Sequence, residues 1–189
     1  MYYNEYLYCA KKHLNGCHSL FQSYPSGSVH DIHVWMELYY LSGYIIEGIT
    51  VYAAYKLYNW PIEVDIIKER DESFTQRTKL DFWFDRKKSD GTSVFENRIH
   101  DPSALSVQKH RFQNIVKNLL KSNPATNNVP YIGNGNIDQD VELLIENWRP
   151  DIRYKYVGQR NPLSFLNEDI IRRLLDTCKT ICINTQTNI

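Results

Sequence analysis

One stretch of this chain limits its fold more than any other: the apolar run Leu38–Tyr55, whose only charge is Glu47. Read with Val34 in front of it, apolar or small residues fall at Val34, Leu38, Leu41, Ile45, Gly48, Tyr52 and Tyr55. That alternation of four and three is a helix seam. A second stripe, Trp35, Ser42, Ile46, Ile49 and Ala53, runs beside it. A helix apolar over so much of its circumference is a central core helix or a membrane span. A lone carboxylate inside it is costly unless paired or hydrogen-bonded, so Glu47 is the first candidate for chemistry.

Length decides between the two. Eighteen residues rise about 27 Å as a helix, short of the roughly 30 Å hydrocarbon core. The tyrosines Tyr39, Tyr40, Tyr44, Tyr52 and Tyr55 are spread along the run instead of gathering at two interfaces. Met1–Tyr8 lacks the basic and apolar regions of a signal peptide. The expectation is a cytoplasmic protein with a buried helix and no membrane partner. Its 189 residues suffice for one domain with a real core. Lys plus Arg equals Asp plus Glu at 22 each, which argues against bulk electrostatic binding of nucleic acid. Four cysteines are then most simply reduced thiols.

Around the central helix the pattern is again helical. Glu5–Tyr24 places Leu7, Ala10, Leu14, Cys17, Leu20 and Phe21 on one face. Pro25-Ser26-Gly27-Ser28 breaks that helix, and the long one, about 33–58, stops before Pro61. Residues 63–100 change character: Lys79–Asp85 alternates like a strand, Asp90-Gly91 is a turn signal, and Phe95 and Ile99 fit a returning strand. Ser106–Lys121 is helical in period, and Ser122–Asn136 reads as a loop. Asp138 is placed to cap a helix bearing Val141, Leu144, Ile145 and Trp148, which Arg149-Pro150 ends. Pro162 suits the first turn of a last helix. That helix turns Leu163, Leu166, Ile170, Ile171, Leu174, Cys178, Ile181 and Cys182 inward, with a polar, frayed tail from Asn184. The fold class is all-α: an antiparallel up-and-down bundle of four to five helices, with an inserted loop or β-hairpin at about 63–100.

Two segments carry a family resemblance. Tyr40-Leu41-Ser42-Gly43-Tyr44-Ile45-Ile46-Glu47-Gly48 resembles the second-helix signature of HEPN domains (higher eukaryotes and prokaryotes nucleotide-binding). Asn147-Trp148-Arg149-Pro150-Asp151-Ile152-Arg153-Tyr154 resembles the same family's later stretch, where a tryptophan precedes an Arg-Tyr pair. Lys11-Lys12-His13 and Lys109-His110 are weaker echoes, and residues 61–105 look like an insertion in one domain spanning 1–189. The resemblance implies a helical bundle that usually dimerises, with polar residues of both subunits lining a cleft. Many members are RNases carrying an Arg, four to six residues, then a His. That pattern is absent here; the nearest case, Arg98 and His100, is too tight. Members without it partner a small nucleotidyltransferase, bind nucleotides or act as scaffolds.

The candidate residues follow. Glu47 either faces a cleft as an acid–base group or pairs with an inward Arg or Tyr hydroxyl. Arg153 is the partner to name, because an Arg–carboxylate pair can be bidentate. Arg149, Arg153 and Tyr154 belong to a basic stretch with Lys155, Arg160, Arg172, Arg173 and Tyr156, which can hold phosphate and stack a base; Asp151, Glu168 and Asp169 dilute it towards an ordinary charged face. Cys9, His13 and Cys17, with Cys178 and Cys182, are spaced for neighbouring helices. Their spacing is that of core residues more than of a zinc site, so no metal and no cofactor are expected. Gly133-Asn134-Gly135-Asn136 lacks the Lys-Ser/Thr of a phosphate loop. The expected function is non-catalytic binding of a nucleotide, RNA or protein partner through a cleft near Glu47 and Arg153, in a homodimer. One alternative is a metal-independent RNase of toxin or defence type with an atypical motif. There His110 or His100 supplies acid–base chemistry and Arg153 stabilises phosphate charge. The other is an interaction module partnering a nucleotidyltransferase.

Overall fold

A computed structural model describes residues 2–24, 31–57, 59–60, 62–63, 80–81, 105–106, 112–154 and 165–189. Its helices are α1 (Asn4–Ser23), α2 (Asp31–Leu57), α3 (Phe112–Ile115, continued by a π turn over Val116–Leu120), α4 (Gln139–Asn147) and α5 (Glu168–Asn188). Short 3-10 turns occupy Pro124–Thr126 and Pro150–Tyr154. The all-α bundle expected from the sequence is therefore the observed architecture.

α2 is one unbroken helix at the centre. Both of its stripes are in the core: Leu38, Ile45, Ile49 and Ala53 have no exposed surface, and Ser42 and Thr50 are buried with them. α1 crosses it in the opposite sense. Tyr3 and Tyr6 meet Tyr52 and Tyr55, His13 meets Tyr44, and Phe21 meets Trp35, so partners descend along α2 as numbers rise along α1. Gly48 sets the closeness of this crossing. A Cβ there would lie 2.9 Å from the Tyr6 carbonyl oxygen and 3.2 Å from the Ala10 Cβ. α5 also runs against α1, with Arg172 over the Phe21 ring at 5.9 Å and Cys178 near Cys17. It presents Ile170, Ile171, Leu174, Leu175, Cys178, Ile181 and Cys182 to the core. No helix of the described residues is long and apolar enough to cross a membrane.

The helix ends show which local signals govern. Asp138 caps α4 as expected, its Oδ1 accepting from the Asp140 and Val141 N–H groups at 3.1 Å each. Pro162 and Leu163, expected at the start of α5, lie outside the described residues. The described helix begins at Glu168, where the Asn167 Oδ1 accepts from the Ile170 N–H at 3.0 Å and Glu168 and Asp169 fill the first turn. A side-chain cap and favourable charge at the positive end of the helix fix that start. α5 does not fray from Asn184: it continues to Asn188, because Thr185 is fully buried and Asn184 Nδ2 donates to the Asn128 carbonyl at 3.2 Å.

Two other departures lie around α3. Ser106, expected at its start, instead pairs with Asp81 in a two-residue parallel ladder, Leu80–Asp81 (β1) beside Leu105–Ser106 (β2). A hairpin pairs antiparallel strands; its expected return near Phe95 and Ile99, like Val107, lies outside the described residues. Within α3 the Lys121 N–H reaches back five residues to the Val116 carbonyl at 3.0 Å. Val116, Leu119 and Leu120 all face the core. Residues 122–136 form a loop as read, yet the loop is a plug. Val129, Tyr131 and Ile132 are buried, with Tyr131 at φ 61°. Gly133 closes it so tightly that a Cβ would fall 1.7 Å from the Thr126 carbonyl oxygen.

Candidate functional site

The site is built where α4 ends against α2. Gln113 of α3 donates from Nε2 to the Ile145 and Trp148 carbonyls at 3.1 Å each, tying α3 to the end of α4. With Pro150 following, the backbone turns out of helix at Trp148 and the indole falls onto α2 at Gly43. A Cβ on Gly43 would sit 1.9 Å from the Trp148 Cε2. The indole Nε1–H donates to the Tyr40 carbonyl at 3.1 Å. Tyr44 meets the indole edge-on at 5.2 Å and Phe112 lies 5.6 Å away. Tyr39, Ser42, Gly43, Ile46, Ile145 and Leu174 close the seam with no room for a water molecule.

On the rim of this seam α2 carries Tyr40, Tyr44 and Glu47, all half-buried and spaced to share one helix face. The Tyr40 hydroxyl donates to the Tyr44 hydroxyl at 3.0 Å. His13 of α1 approaches Tyr44 with ring centres 6.4 Å apart. Tyr6 stands beside Glu47: burial, then the Glu47 carboxylate, then Glu5 push its phenol up to about 12, so it remains a hydrogen-bond donor at neutral pH. One face thus joins two tyrosines, a histidine and a carboxylate over a rigid tryptophan base.

The expected residues distribute unevenly. Glu47 is on this face. The 3-10 turn that carries Arg153 packs along α2 and buries Ile152, while the Arg153 side chain lies outside the described residues. Tyr154 in the same turn is 72% exposed. Arg149 turns back on α4, donating from Nη1 to the Glu146 carbonyl at 3.1 Å and to the Trp148 carbonyl. It caps the negative end of the helix. Arg172 and Arg173 serve structure: Arg172 pairs with Glu168 at 2.6 Å, and Arg173 ties Asp169 at 3.0 Å to Asp138 at 2.7 Å. His100, His110, Lys155, Tyr156 and Arg160 lie outside the described residues.

Three of the four cysteines behave as core residues. Cys9 is exposed, whereas Cys17, Cys178 and Cys182 are buried where α1 and α5 meet. Burial and then Glu37 push the Cys17 thiol up to about 12, so it stays protonated in the core. Among the described residues no three His, Cys, Asp or Glu side chains are grouped to hold a metal ion. Sequence reasoning missed Tyr6, Tyr40 and Tyr44, and weighed His13 only as a metal ligand or a family echo. The signal was the spacing Tyr40, Tyr44, Glu47 on a helix already recognised.

Comparison of the chain with protein-family models, with curated proteins and with solved structures gives no match.

Proposed function

We propose that this chain is a non-catalytic HEPN-like domain that binds a nucleotide, RNA or protein partner through the cleft beside Glu47 and Arg153. One observation carries the reading: Trp148 seats on Gly43 and bonds the Tyr40 carbonyl, so the two segments that resemble the family pack on each other. Segments more than 100 residues apart are thereby joined beside a half-buried carboxylate and a hydrogen-bonded pair of tyrosines. Homodimerisation and a cytoplasmic location belong to the same proposal. Nucleotide or RNA is the favoured ligand, because the face combines ring surfaces with a hydrogen-bond acceptor.

The test is a gel titration of metal-free protein with a labelled mixed-sequence RNA, reading binding and cleavage together. The proposal expects a saturable shift of intact RNA that weakens in Arg153→Ala. Cleavage that disappears in Arg153→Ala or His110→Ala replaces it with the atypical RNase. Intact RNA without a shift, together with a stable complex with another protein, replaces it with the interaction module.

A further inference from the structure

We draw no further inference here: the strongest candidate, the acidic outer face of α4 around the exposed Leu143, carries nothing, because Asp140 and Glu142 are already paired with Arg173 and Lys121 and nothing in the structure shows what covers it.

Discussion

Replacing Gly43 with alanine is the sharpest probe of how α2 and Trp148 fit. The new methyl carbon would fall 1.9 Å from Cε2, 2.0 Å from Nε1 and 2.3 Å from Cδ2 of an indole with no exposed surface. Carbon atoms in good contact sit about 3.5–4.0 Å apart, so the ring must retreat by about 1.5 Å or more. The seam leaves it nowhere to go, since Phe112, Ile145, Leu174 and Tyr39 already close it. Overpacking of this kind costs about 1–3 kcal/mol. Breaking the bond from Nε1 to the Tyr40 carbonyl adds about 1 kcal/mol. Alanine recovers about 1 kcal/mol of helix propensity, so the net loss is about 1–3 kcal/mol. Gly16 supplies the internal control, because nothing lies within 4 Å of a Cβ built there. Gly16→Ala is expected to stabilise by about 1 kcal/mol. Urea denaturation followed by near-ultraviolet circular dichroism reads both, and the Gly43→Ala native spectrum should change in its tryptophan band. The reasoning is refuted if Gly43→Ala is as stable as Gly16→Ala.

Further outcomes are open to the same assays. Tyr39→Phe is expected to cost about 1 kcal/mol, because the buried Tyr39 hydroxyl donates to the Leu144 carbonyl at 2.7 Å and fastens α4 to α2. Thr50→Val and Thr185→Val should each leave stability unchanged or raise it by about 1 kcal/mol, since both hydroxyls are buried without a partner; a loss above about 1 kcal/mol contradicts this. The Asp138 carboxyl is held below its ordinary range by the Val141 N–H first and then by Arg173. A carboxyl lowered on folding stabilises the folded state above its ordinary value near 4 and ceases to as pH falls through the lower folded value. Asp138→Asn should therefore flatten the acid limb of stability below about pH 4 and leave neutral pH less affected than Asp138→Ala, because asparagine still caps.

What the sequence displays and what it hides follow from the range of the forces involved. α2 was readable because an apolar surface over nearly the whole circumference can only be buried, and Leu38, Ile45 and Ile49 are fully so. The start of α4 was readable because Asp138 caps its own first turn. The start of α5 at Glu168 is set by the hydrogen bond from the Ile170 N–H to the Asn167 side chain, one of several polar residues before the helix. The plug at 129–133 was invisible because its fit depends on the Thr126 carbonyl and on the core wall, not on local propensity. Glu47 stood out as a lone charge. Tyr40 and Tyr44 did not, since a tyrosine on a core helix looks the same whether its ring fills the interior or lines a rim. The positions of Gly43 and Trp148 in two separate motifs gave no sign that one seats on the other.

The central claim is that the face of α2 beside Trp148 is the binding surface, and hydrogen exchange tests it most directly. Amide exchange of the full chain is measured with and without saturating mixed-sequence RNA. The account predicts slowed exchange in residues 40–47 and 148–154, with the outer face of α5 unchanged. Protection confined to α5 or to the acidic face of α4, or none at saturating RNA, contradicts it.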